Sequence, residues 1–164
     1  MQTETLQHPS TKTIEQACAF IREASANSSV YIGSDSIRSK HKGGWIARYA
    51  TVIIVHKDSR HGGKVFTWIE EQPDYGNLKQ RLLYEAQCAI HAVDGVIDAV
   101  LEKDLHIEVH LDLNPSPNHK SNVAVKEACG WVLGATGIDP KIKPDGFASS
   151  HAADAAVKGK LKRK

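Results

Sequence analysis

The stretch that decides the fold is HIEVHLDL, residues 106–113. Its apolar residues alternate with polar ones, which predicts a β-strand with one apolar and one polar face. A helical pattern at residues 77–93 precedes it, and a second one at residues 118–135, closed by Gly137, follows the proline-containing turn at 114–117. A strand between two helices indicates crossover connections, and these require parallel pairing in the sheet.

The first half of the chain predicts three further strands. Residues 30–37, 45–56 and 64–69 are rich in β-branched and aromatic side chains. Polar, glycine-containing segments at 38–44 and 57–63 separate them, which is typical of an antiparallel meander. This half therefore contributes an antiparallel flank to the parallel part of the sheet.

The complete order is β-β-β-α-β-α-β-α after an N-terminal amphipathic helix at 13–24. A short strand at 141–143 and an alanine-rich helix at 150–160 supply its last two elements. We therefore expect an α/β fold with a five-stranded mixed sheet, three antiparallel strands plus two parallel ones, flanked by helices. The 164 residues fit one domain, with residues 1–28 as an N-terminal helical extension and 158–164 as a basic tail.

Composition disfavours several classes of protein. We find no apolar run long enough to cross a bilayer and no secretory signal in the first ten residues, so we expect a cytoplasmic protein without a membrane partner. The three cysteines are odd in number and far apart, which disfavours a disulfide framework and a zinc knuckle. The net charge of +2 includes five cations in the tail, which could contact phosphates or simply be solvated.

Two acidic residues occupy positions that suit an apolar side chain better. Asp35 lies within the first predicted strand, where aspartate is depleted because burying its charge is costly. Glu85 interrupts the apolar stripe of the 77–93 helix, because the three- and four-residue spacing aligns it with Leu82 and Ala89. An edge-facing or capping role for Asp35 and a buried salt bridge from Glu85 to Arg48 are the structural alternatives.

Two more acids lie on later elements. Asp112 is at the carboxyl end of the alternating strand, where ligands collect in open α/β sheets, although a solvent-facing polar row would also explain it. Asp154 follows His151 by three residues in the last helix, so the two side chains project together. A favourable interaction with the helix dipole is the alternative for Asp154.

Other candidates are weaker. Glu70 and Glu71 could take the role of Glu85, but they follow a predicted strand, where we expect a solvated turn. The sequence shows no stretch that combines basic and aromatic residues for stacking on single strands. We expect Trp45 and Trp131 to pack in the core.

Four short strings carry these acids in a fixed order. They are IGSDS at 32–36, RLLYE at 81–85, HLDLN at 110–114 and HAADA at 151–155. In this order they resemble the ribonuclease H-like superfamily, and most closely its YkuK-like family of bacteria and phages. The resemblance runs from Val30 to Lys158 and implies the ribonuclease H-like fold.

The resemblance also implies metal-dependent hydrolysis of phosphodiester bonds with two magnesium or manganese ions. Carboxylate oxygens suit such hard cations. By analogy, Asp35 would bind both ions, while Glu85 and Asp112 would hold the ion near the leaving 3′-oxygen. Asp154 would hold the ion that activates the attacking water, and His151 would assist proton transfer or product release.

The implied partner is nucleic acid, either RNA in an RNA–DNA hybrid or a structured DNA or RNA, and the oligomeric state stays open. Basic loops at 38–42 and 57–64 could contact backbone phosphates. The alternative is a catalytically inactive module that binds nucleic acid or protein and keeps the acids as a vestige. A sugar-kinase or actin-like ATPase half is disfavoured, because a second such domain and a glycine-rich phosphate loop are both missing.

Overall fold

The computed structural model describes residues 7–59 and 62–146, together with residues 148, 153, 156 and 158. Within these ranges, three α-helices and four β-strands form an α/β structure. The elements are α1 (Thr11–Arg22), β1 (Ser29–His41), β2 (Gly44–His56), β3 (Gly63–Pro73), α2 (Leu78–Glu102), β4 (His106–Leu111) and α3 (Val125–Thr136).

The strands form one mixed sheet in the order β3-β2-β1-β4. β1 pairs antiparallel with β2 and parallel with β4, and β2 pairs antiparallel with β3. Helix α2 makes the crossover from β3 at one edge to β4 at the other, as parallel pairing requires. The predicted antiparallel meander and its parallel neighbour are therefore both present.

The fifth strand predicted at 141–143 is reduced to a single bridge. Lys141 pairs in parallel with His110, and the backbone N–H of Lys143 donates to Leu113 O at 3.0 Å. Pro140 and Pro144 flank this segment, and proline lacks the N–H that a strand ladder needs. In the described part of the chain the sheet thus has four strands, and the prediction of five was wrong.

Two strands extend beyond the predicted limits. Residues 38–41, predicted as loop, continue β1 until His41 pairs with Gly44. Gly44 has φ +131°, a backbone conformation that side chains rarely allow, which suits it to this tight turn. Residues 70–73 likewise continue β3, so the glutamates predicted to lie in a turn are strand residues.

The sheet separates two apolar layers. The larger layer lies between the sheet and helices α1, α2 and α3. The smaller one, on the opposite face, comprises Ala50, Val52, Ala148, Ala153 and Ala156. Because successive strand residues face opposite sides, β1 presents one set of side chains to α2 and the other to this alanine cluster.

Capping residues set the beginning of α2 and the end of α3. The side chain of Asn77 accepts a hydrogen bond from the Gln80 N–H at 3.1 Å and so begins α2. Gly137 ends α3 with φ +73°, and its N–H donates to Leu133 O. The prediction that Gly137 closes this helix is confirmed.

Close packing of α1 on α2 depends on Gly95. A Cβ at this position would lie 2.8 Å from two carbons of the Ile14 side chain, whereas a Cβ at Gly130 in α3 would meet nothing within 4 Å. Both glycines are inside helices, where alanine is intrinsically favoured. The two positions therefore differ in packing rather than in helix propensity.

We expect Gly95→Ala to be less stable than Gly130→Ala by roughly 1–3 kcal/mol, the usual cost of overpacking. Because both variants gain the same helix propensity, the difference in their free energies of unfolding isolates the contact with Ile14. Denaturant unfolding of both variants measures it. Equal free energies would show that α1 can move away from α2 at no cost.

Candidate active site

Asp35 and Asp112 lie side by side where the parallel strands β1 and β4 cease to pair. The ladder between these strands runs in register up to Ser34 and Leu111. Asp35 and Asp112 are the next residues on each chain, so they leave the ladder together at its carboxyl end. The topology therefore brings Asp35 and Asp112 to the same end of the ladder.

Glu85 reaches the same place from α2. Its side chain is 4% exposed, and Ser36 Oγ donates a hydrogen bond of 2.5 Å to its Oε1. The backbone N–H of Ser36 also donates to Asp35 Oδ1 at 2.8 Å. Ser36, to which the sequence analysis gave no role, therefore holds two carboxyl groups that come from opposite faces of the sheet.

The electrostatics of Glu85 reflect this proximity. Burial raises the pKa of Glu85 well above its usual value, and the charges of Asp35 and Asp112 raise it further. The Ser36 hydrogen bond and the positive charge of Arg81 lower this pKa but do not outweigh the other effects. Because the charges of Asp35 and Asp112 both act on Glu85, we refer to these three acids as one electrostatic unit.

Asp112 is paired with a lysine. Lys143 Nζ lies 2.6 Å from Oδ1 of Asp112. This oxygen is buried and accepts no well-angled hydrogen bond from the described residues, so the contact is an ion pair rather than a hydrogen bond. The Lys143 side chain is half-exposed, whereas that of Asp112 is only 24% exposed.

The chemistry of these donors fits a hard divalent cation. Asp35, Glu85 and Asp112 offer oxygen ligands only, and a cation would relieve the repulsion that acts on Glu85. In the described residues, however, no three carboxylate, imidazole or thiol groups lie close enough together to hold a metal ion. Asp154 and His151, the other predicted site residues, lie outside the described residues.

The alanine cluster covers the face that carries Asp35. Ala50 pairs with Asp35 across the β1–β2 ladder, so the two side chains share a face, and Ala50 packs with Ala148 and Ala153. His110 adds a direct link, because its Nδ1 accepts the N–H of Ala148 at 3.0 Å. Ala148 is thus held next to β4 at His110, two residues before Asp112 along the chain.

His110 is a buried residue whose role the sequence did not specify. Because Nδ1 accepts a hydrogen bond, its proton is on Nε2, which donates to Glu108 Oε2 at 2.7 Å. Burial lowers the pKa of His110, and the bond to Glu108 only partly offsets this effect. Burial raises the pKa of Glu108, but hydrogen bonds from His106, His110 and Lys141 outweigh it and hold that pKa at about 2.

The two glutamates predicted to be solvated behave differently from each other. Glu70 is only 11% exposed and accepts a hydrogen bond of 2.5 Å from Tyr84 OH, so the prediction was wrong for this residue. Glu71 is exposed and lies 3.6 Å from Arg48 Nε. Arg48 therefore pairs with Glu71, and the alternative of a salt bridge from Arg48 to Glu85 is not what the structure shows.

The prediction for two tryptophans was also wrong. Trp45 is 44% exposed and Trp131 is 43% exposed, whereas the buried tryptophan is Trp68. Trp45 is the second residue of β2, next to the β1–β2 hairpin turn. Hydrophobicity alone therefore did not indicate which tryptophan enters the core.

The comparison with known families agrees with this geometry. The profile of the family described as Ribonuclease H-like matches residues 12–158. The chain belongs to the ribonuclease H-like family. No curated protein and no solved structure gives a significant match to it. The described part of this ribonuclease H-like chain contains no helix that is both long and apolar enough to span a membrane.

We expect Glu85→Gln to remove a pH dependence of stability, measured in a metal chelator. Because burial raises the pKa of Glu85 in the folded protein, the wild type loses stability as the pH rises from about 4, the ordinary glutamate value, through that raised pKa. The glutamine variant should become increasingly stable relative to wild type over this range. Denaturant unfolding at several pH values measures it.

The matched control is Glu71→Gln, which changes an exposed glutamate on β3. Its stability should follow that of the wild type over the same pH range. Parallel stability curves for wild type and Glu85→Gln would contradict the assignment of Glu85 as a buried, strongly perturbed acid.

Proposed function

We propose that the protein is a metal-dependent nuclease that hydrolyses phosphodiester bonds of nucleic acid. The observation that carries the proposal is the electrostatic unit of Asp35, Glu85 and Asp112 at the end of two parallel strands. Membership of the ribonuclease H-like family supports it. A purely structural role accounts poorly for Glu85, because burying a carboxyl group near two other carboxylates destabilises the fold.

The proposed cofactors are two magnesium or manganese ions, held by Asp35, Glu85, Asp112 and Asp154. Bound there, such ions would polarise the scissile phosphate and lower the pKa of water. The donor set supports this choice, since hard cations prefer carboxylate oxygens. Lys143 would have to leave Asp112 for this, and its half-exposed position allows that movement.

The residues of the chain would act mainly by orientation. Ser36 holds Asp35 with its backbone N–H and Glu85 with its hydroxyl group, so both carboxyl groups are fixed before substrate arrives. Glu85 is shielded from water, which strengthens its interaction with any cation. His151 would assist proton transfer or product release.

The proposed substrate is RNA in an RNA–DNA hybrid, or a structured DNA or RNA. The proposed compartment is the cytoplasm, in keeping with three free cysteines among the described residues. A panel of labelled hybrid, duplex, single-stranded and branched substrates, each with magnesium, manganese or chelator, tests the reaction and ranks these substrates.

We expect Asp35→Asn and Glu85→Gln each to reduce metal-dependent cleavage at least about 100-fold, because each removes one charged ligand of a site that acts by electrostatic stabilisation. Glu71→Gln should cleave like the wild type. Circular dichroism and thermal unfolding establish that the variants are folded. Full cleavage by both site variants would refute the proposed reaction.

Metal binding supplies a test that does not depend on substrate. By calorimetry, we expect Asp112→Asn to bind manganese at least tenfold more weakly than the wild type, since loss of even a supporting group at a metal site costs about 10–100-fold. The alternative of an inactive binding module predicts no carboxylate-dependent binding at millimolar metal. Identical isotherms for the two proteins would favour that alternative.

A further inference from the structure

An exposed aromatic and basic surface lies next to the candidate active site. It consists of Arg38 on β1, Trp45 on β2 and Tyr75 just after β3, and we call it the Trp45 surface. No stretch of the sequence combines these basic and aromatic residues, because they lie far apart along the chain. Strand pairing brings them to the end of the sheet where the β1–β2 hairpin turns.

The aromatic residues of the Trp45 surface are open to solvent. Trp45 is 44% exposed and Tyr75 is 87% exposed. The backbone N–H of Asp74 donates to Trp45 O at 2.9 Å, which places Tyr75 beside the start of β2. The Arg38 guanidinium lies over the Trp45 ring, 4.2 Å from its centroid. Two large exposed rings at this end of the sheet are typical of a binding surface, whereas single exposed apolar residues are common on any protein.

The charge around these rings favours a polyanion. Arg38 Nε is hydrogen-bonded to the buried carboxylate of Asp74, and Arg81 Nη1 lies 3.9 Å from the same group. Lys40 and Lys42 follow towards the tip of the β1–β2 hairpin. Asp74 thus holds the guanidinium groups of Arg38 and Arg81 in place. Together with Lys40 and Lys42, these groups supply four positive charges against the single negative charge of Asp74.

The Trp45 surface lies on the side of the sheet that helix α2 covers, and α2 carries Glu85. Arg38 is two residues beyond Ser36 on β1, about 7 Å along the strand, so both side chains face the α2 side of the sheet, whereas Asp35 faces the opposite side. On α2, Arg81 lies one helical turn before Glu85. Arg38 and Arg81 of this surface therefore lie on the same side of the sheet as Glu85.

We propose that the Trp45 surface binds unpaired nucleotides of the substrate, with bases stacked on Trp45 and Tyr75 and phosphates contacted by Arg38, Lys40 and Lys42. Only unpaired bases expose both of their flat faces to such rings, and aromatic stacking beside cations is how single strands are held without sequence preference. For the kind of ligand, this inference rests on the proposed nuclease function. Tryptophan, tyrosine and arginine are also enriched at protein interfaces, but the excess of cations favours nucleic acid.

Fluorescence anisotropy of the full chain in chelator tests this proposal without cleavage. The probes are fluorescein-labelled oligo(dT) and oligo(rU) of about 20 nucleotides, longer than the usual single-strand site of one domain, and a blunt duplex of the same length. We expect both single strands to bind more tightly than the duplex. Trp45→Ala and Tyr75→Ala should each weaken single-strand binding about fivefold or more, as expected for one lost stacking contact.

The matched control is Trp131→Ala. Trp131 is 43% exposed, like Trp45, but lies on α3, so its removal should leave single-strand binding unchanged. Wild-type affinity in both Trp45→Ala and Tyr75→Ala would overturn the proposal, as would an equal loss in Trp131→Ala or tighter binding of the duplex.

Glu85→Gln separates this proposal from the nuclease function. This variant should bind single strands like the wild type in chelator while failing to cleave with metal. If the wild type cleaves nucleic acid but Trp45→Ala binds single strands as tightly as the wild type, only the proposed role of the Trp45 surface is refuted. If Trp45→Ala weakens single-strand binding but the wild type cleaves no substrate, the nuclease function is refuted and the proposed binding surface stands.

Discussion

The parallel pairing of β1 with β4 is the constraint on which the rest of the structure depends. Parallel neighbours cannot be joined by a tight turn, so the chain between β3 and β4 must cross the sheet, and α2 makes that crossing. The crossing brings Glu85 over β1, and the same pairing sets Asp35 beside Asp112. One hydrogen-bonded ladder thus determines where three acids far apart in the chain meet.

Such a meeting of like charges needs compensation, and the surrounding residues supply it. Ser36 donates hydrogen bonds to two of the carboxyl groups, and Lys143 forms an ion pair with the third. The burial of Glu85 nevertheless keeps its pKa high, so the compensation is incomplete. A site that is incompletely balanced by its own chain gains more from an external cation than a fully neutralised one would.

Much of this arrangement could be predicted from the sequence, because it depends on local periodicity. The alternation of HIEVHLDL predicted β4, and the spacing around Glu85 predicted an acid on the buried side of α2. Properties that depend on distant partners could not be predicted. The pairing of Arg48 with Glu71 follows from strand register, and the exposure of Trp45 accompanies its position next to the hairpin turn. The segment at 141–143 forms a single bridge rather than the predicted short strand, because flanking prolines limit its pairing.

β1 continues well past the last residue of β4, while β2 beside it stays paired with β3 from His56 to Ile46, close to the hairpin turn. Among the described residues, only the tip of this hairpin, around the two-residue turn at 42–43, extends as a short arm beyond the pairing with β3. During evolution, insertion or deletion of matched residue pairs could change the length of this arm while every remaining side chain keeps its face. The reach of the protein towards its ligand could therefore diversify independently of the acids at the base.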